Sequence, residues 1–146
     1  MKKYFFLFLF FFLNFNFSKA YSQEPLSEYL SKNDIDKIDV QIQMLHRCSA
    51  VYAYASFILK DKDLINSKNF IEKSNKILFK ANDLSIELRK SKLEDEQKKA
   101  EKIRNELLEK YVQSGKENWE KNKSHYKNSY IEIDMGICGK TYTKLI

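Results

Sequence analysis

The sequence predicts an all-α fold: an up-down four-helix bundle or a close relative, with one inter-helix disulfide, behind an N-terminal signal peptide. Three observations predict it. Between Leu26 and Ser114 neither proline nor glycine interrupts the chain, whose one proline is Pro25 and whose three glycines are Gly115, Gly136 and Gly139. Apolar residues recur through that stretch at three- and four-residue spacing, the period of a helix face. The two cysteines, Cys48 and Cys138, both fall on such apolar stripes.

The N-terminal 20 residues read as an address. Met1-Lys2-Lys3 is a short basic segment, Tyr4 to Leu13 an unbroken apolar run, and Ser18-Lys19-Ala20 puts small residues at the −3 and −1 positions of a cut before Tyr21. Ala20-Tyr21-Ser22 offers a second cut, before Gln23. A membrane span needs about 17–25 apolar residues, and Asn14 and Asn16 end this run too early. Later in the chain no second run of spanning length occurs, so no stable membrane insertion is expected after cleavage, and the protein is expected to be secreted or periplasmic. The mature chain, 21–146, is then a single helical domain.

Cleavage changes the composition. The full chain of 146 residues is 43% hydrophobic and 32% charged, with 26 basic and 20 acidic side chains and a net charge of +6. Losing Lys2, Lys3 and Lys19 halves that charge, and eight of the eleven phenylalanines leave with the same segment. Arginine occurs only as Arg47, Arg89 and Arg104. Nucleic-acid recognition favours arginine for its bidentate contacts, and no basic block is present, so nucleic acid is not an expected partner.

Element by element, the first long helix starts near Asn33 or Asp34, with Asp34 and Asp36 at its positive end. Its apolar positions are Ile38, Ile42, Leu45, Cys48, Tyr52, Ala55 and Leu59. The stripe widens after Met44, which makes this the central helix. A polar turn at Asp61–Asp63 precedes a second helix with Phe70, Ile77, Ala81, Leu84 and Leu88 on one face. The stripe breaks at Ser91-Lys92 and resumes at Leu93, so a third helix follows a tight connection. Ser91 and Glu94 have the spacing of a capping box. Leu93, Ala100, Ile103, Leu107 and Tyr111 carry the third helix to Ser114, with Gly115 as the expected C′ residue. Residues 116–130 form either a helix with an aromatic stripe or a loop pinned by aromatics. Ile131, Met135, Cys138, Tyr142 and Leu145 then repeat at heptad-like spacing, the mark of a fourth helix.

An even cysteine count in an oxidising compartment implies a disulfide, and two cysteines allow one intramolecular pairing, Cys48–Cys138. Cα atoms about 5.5 Å apart suit neighbouring helix axes about 10 Å apart. A redox pair is the functional alternative, with His46 and Arg47 beside Cys48 to activate a thiol. The C-x-x-C arrangement typical of dithiol oxidoreductases is absent.

Catalytic signatures are few. His46 and His125 are the only histidines and stand in no metal-binding motif, glycine-rich phosphate loops are missing, and the Glu94-Asp95-Glu96 run reads as a solvated helix start. The expected function is therefore non-enzymatic, without cofactor: binding or structural support toward another envelope or secreted macromolecule. Trp119, Tyr126 and Tyr130, interleaved with Lys116, Lys121, Lys123 and Lys127, are the candidate contact residues. The competing reading packs Trp119 and Tyr126 onto the bundle and leaves the lysines to solubilise them. Two further readings are a small-ligand or haem carrier, with Met44, Met135, His46 and His125 as candidate iron ligands, and an enzyme with an unrecognised carboxylate site.

Overall fold

The computed structural model describes residues 23–145. The signal-peptide reading of residues 1–20 and both cleavage positions lie outside them. Among the described residues the fold is all-helical: α1 (Leu26–Lys32), α2 (Ile38–Leu59), α3 (Leu64–Arg89), α4 (Leu93–Asn122) and α5 (Tyr130–Leu145).

α2 is the axis of the molecule, and 14 of its 22 residues are buried, from Val40 to Ala55. It packs chiefly along α3 and then along α4. Small side chains let α2 and α3 approach closely. The Ser49 hydroxyl donates to the Ser74 carbonyl at 2.9 Å, and the Ser74 hydroxyl donates back to the Ser49 carbonyl at 2.7 Å. One heptad along, Ser67 donates to the Ser56 carbonyl at 2.9 Å. The partners step in opposite directions along the two helices, so α2 and α3 form an antiparallel hairpin. These small hydroxyl residues thus hydrogen-bond across the seam as well as permitting the close approach. α4 returns alongside α2: His46 lies within the field of Glu96 and Lys99, and two turns later Tyr54 meets Tyr111 and Gly115.

The helix ends differ from those the sequence implies. α3 starts on Asp63, whose carboxylate accepts from the Asn66 N–H at 3.0 Å. It stops at Lys90, which adopts a left-handed conformation with φ 53°. Ser91 and Glu94 do not form the expected capping box. Ser91 donates instead to Glu96 at 3.0 Å, and Glu94 pairs with Lys98. Gly115 does not end α4, which continues to Asn122 and stops at a left-handed Lys123. The glycine is needed for contact. A Cβ there would lie 1.8 Å from the Tyr54 hydroxyl oxygen and 2.7 Å from its ring carbon, so the absent side chain makes room for a tyrosine from α2.

Two further elements complete the fold. α1, which carries no periodic signal in the sequence, packs on α5. α5 is fixed to α2 by the predicted disulfide, Cys48–Cys138, with Cα atoms 5.3 Å apart. Their contacts follow neither a parallel nor an antiparallel register. Met44 meets Thr141, Arg47 meets Asp134, and Tyr52 meets Tyr142. α5 therefore crosses α2 at the disulfide, whereas the expected up-down bundle would set the first and fourth long helices antiparallel.

Candidate functional site

Residues 116–130, the candidate contact segment, divide in two. Through Asn122 they extend α4; then a loop leads to α5. Buried Asn118 holds that loop by donating from Nδ2 to the carbonyls of Ser124 and Lys127 at 2.7 and 2.9 Å. Of the three candidate aromatics, two serve the fold. The Tyr130 ring lies 5.9 Å from that of Tyr111, its hydroxyl donates to Ser114 at 2.9 Å, and Tyr126 is half-buried against the core. Trp119 is different. It is 43% exposed and stacked on His125, with ring centroids 4.7 Å apart.

The most polar buried place is elsewhere, beside the disulfide. Asp134 is 0% exposed. Its Oδ2 accepts from Arg47 Nη2 and from the Tyr111 hydroxyl, each at 2.6 Å, and its Oδ1 accepts from the backbone N–H of Leu26 at 2.7 Å. With its amide oxygen turned toward Arg47, Gln23 accepts from Nε at 3.0 Å and Nη2 at 3.3 Å. Four segments of chain thus meet on one carboxylate. The Leu26 N–H is among the donors that the first turn of a helix leaves free, so Asp134 also anchors α1.

Burial opposes the Arg47 charge, but Tyr111 and Asp134 outweigh it and hold its pKa above the ordinary value. Burial first, and the Asp134 carboxylate second, push the Tyr111 phenol well above its usual range. Tyr111 therefore stays a protonated donor. Every strong group in the cluster is met by a partner within the fold, and the arrangement is that of a structural ion pair. Sequence reasoning considered Arg47 only as an activator of Cys48. The missed signal was Asp134, one turn before Cys138 on the same buried stripe, facing an arginine that adjoins Cys48.

A second buried polar group sits between the lower halves of α2, α3 and α4. His46, Asn82, Ser85 and Glu96 are all buried, and Arg89 Nη1 reaches Glu96 Oε2 at 3.0 Å. Burial, reinforced by the charge of Arg89, lowers the His46 pKa to about 4. His46 Nδ1 and Asn82 Oδ1 have no hydrogen-bond partner among the described residues.

No protein family, curated protein or solved structure matches this chain. The functional reading therefore depends on the chain's own geometry. The two candidate histidine ligands are not brought together: His46 lies at the closed lower end of the α2–α4 seam, while His125 stacks on Trp119 at the upper end. Among the described residues no three or more His, Cys, Asp or Glu side chains gather as a metal site. An open groove of about 210 Å³ has Phe70, Lys73, Lys76 and Tyr142 among its lining. Small-molecule pockets run to about 300–1,000 Å³, so this groove is smaller than that class. Lys73 Nζ occupies part of the mouth, 5.4 Å from the Tyr142 ring centre and 5.8 Å from that of Phe70. No described helix is long and apolar enough to cross a membrane.

Proposed function

We propose that the protein is an exported, disulfide-clipped helical module, a close relative of the four-helix bundle in which α5 crosses α2 and α1 is added, that binds another envelope or secreted macromolecule without catalysing a reaction. The observation that carries this reading is the division of labour among its side chains. The buried ionised groups close on one another around Asp134, whereas Trp119, the one tryptophan in the chain, is left 43% exposed. Tryptophan is among the commonest interface anchors. The disulfide supports an oxidising compartment, in line with the apolar N-terminal segment and its small residues at the cleavage positions.

Native purification from the exported fraction tests the reading. Intact mass reports the N-terminus and the disulfide together. Trp119→Ala should abolish co-purification of a partner while leaving the unfolding free energy within about 0.5 kcal/mol of the parent, the ordinary range for a surface substitution. Unchanged partner capture with lowered stability would assign Trp119 to packing instead.

A further inference from the structure

The Arg47 guanidinium is buried, with 8% exposure, and it closes on two oxygens from distant parts of the chain. Nη2 donates to Asp134 Oδ2 at 2.6 Å, and Nε donates to the Gln23 amide oxygen at 3.0 Å. Among the described residues Nε has no other acceptor. A buried charged donor left unmet is costly, so the fold depends on this one oxygen. The hydrogen bonds of Gln23 run through that atom, and its amide nitrogen is turned away from Arg47.

Gln23 is also where one of the two candidate cuts in the N-terminal segment falls, with Ala20 and Ser22 as the small residues at −3 and −1. Cleavage there creates a terminal glutamine, whose α-amine can reach its own side-chain amide carbon in a five-membered ring. The amine nitrogen bonds to Cδ, the Cδ–Nε2 bond breaks, and Nε2 leaves as ammonia with the proton that the amine gives up. No oxidant, reductant or second substrate is consumed. The product, pyroglutamate, keeps Oε1 as a lactam carbonyl oxygen, the atom that Arg47 uses, and discards Nε2, the atom that it does not.

The lactam also removes a charge. An uncyclised terminus at Gln23 carries an ammonium through most of the neutral range, within one side chain's length of the buried guanidinium, where like charges repel. The neighbouring carboxylates are engaged. Glu24 is taken up by Lys32 at 2.6 Å, and Asp134 already serves Arg47, Tyr111 and the Leu26 N–H. A cut before Tyr21 sets the ammonium two residues farther off and leaves Gln23 an internal residue that cannot cyclise.

We propose that the mature chain begins at Gln23 as pyroglutamate, and that its lactam oxygen completes the Arg47 cluster just ahead of α1. The modification rests on the exported role proposed above, because only cleavage creates this terminus.

The test reads the disulfide-intact protein from the exported fraction by intact mass before any digestion, since free glutamine-terminated peptides cyclise on handling. The expected mass is that of residues 23–146 with the disulfide formed, less one ammonia. Edman degradation should yield no residue until pyroglutamyl aminopeptidase has removed the first, after which Glu24 and Pro25 follow. The folded protein should resist that peptidase at least about tenfold longer than the reduced, alkylated and unfolded chain, because the ring must leave Arg47 to be cut. Gln23→Asn cannot close the same ring, so its terminus should read as asparagine. A chain that starts at Tyr21, or at Gln23 with a free amine, overturns the proposal and leaves export standing. Equal unblocking of the folded and unfolded chains overturns it as well, as does a block that persists in Gln23→Asn. If the chain keeps residues 1–22 and stays inside the cell, export itself falls and the modification falls with it.

Discussion

Gly115→Ala sets two local effects against each other, and the structure decides the sign. In a helix interior alanine is favoured over glycine by about 1 kcal/mol, so propensity alone makes the variant more stable. Packing opposes this. The new methyl would lie 1.8 Å from the Tyr54 hydroxyl oxygen, 2.7 Å from the ring carbon bearing it and 3.1 Å from the His125 carbonyl oxygen. Tyr54 cannot swing clear at low cost, since it is fully buried and stacked on Tyr111 at 6.2 Å. Moving it also breaks the 3.1 Å bond from its hydroxyl to the His125 carbonyl. Overpacking costs about 1–3 kcal/mol and the lost hydrogen bond about 1 kcal/mol. The net expectation is destabilisation by about 1–3 kcal/mol. Urea unfolding of the oxidised protein, followed by circular dichroism, measures it. In a Tyr54→Leu background, which removes both close atoms, Gly115→Ala should become neutral or stabilising by up to about 1 kcal/mol. If Gly115→Ala raises the midpoint in the parent, or costs the same in both backgrounds, the close-approach argument fails.

Three other outcomes are expected. Asp134→Ala should cost about 3–5 kcal/mol in urea unfolding because it strands the buried Arg47 charge, and pairing it with Arg47→Met should cost clearly less than the two singles added. Replacing both cysteines by alanine should cost about 4.6 kcal/mol by chain entropy for a 90-residue separation, and a loss below about 1 kcal/mol would count against that account. His46 has a folded pKa of about 4, below the ordinary 6.5, so between those values the unfolded chain takes up a proton that the folded chain refuses. The stability from neutral His46 is complete above pH 6.5 and is lost as pH falls toward 4, by about 3 kcal/mol at 1.36 kcal/mol per unit. His46→Gln should flatten that part of the stability–pH curve relative to the parent.

Long periodic stripes made much of the fold legible in the sequence. α2, α3, the break at Ser91-Lys92, α5 and the disulfide all follow from where apolar residues and cysteines recur. α1 escaped because seven residues give too few turns to set a period. The helix stops escaped for a different reason. Glycine is the usual left-handed terminator, but here Lys90 and Lys123 adopt that conformation, and Gly115, which the sequence offers as a terminator, lies inside α4 against Tyr54. Part of the candidate contact segment was misread because aromatic spacing does not distinguish a side chain that packs from one that is displayed. Tyr126, Tyr130 and Trp119 share one pattern in the sequence, and only the tertiary placement of the loop after Asn122 separates them.

Asp134 shows why a single staple does not by itself define the fourth long helix. The disulfide fixes one point of α5 on α2, and a crossing pinned at one point can still turn about it. Asp134 lies one turn before Cys138 and takes donors from three directions: Arg47 on α2, Tyr111 on α4 and the first N–H of α1. Rotating α5 about its axis would carry the carboxylate away from all three and leave Arg47 buried without a counter-charge, a penalty of several kcal/mol. The covalent bond thus limits how far α5 can go, while the ion pair selects which face it presents. Because Leu26 shares the same carboxylate, the placement of α1 and the rotation of α5 are settled together.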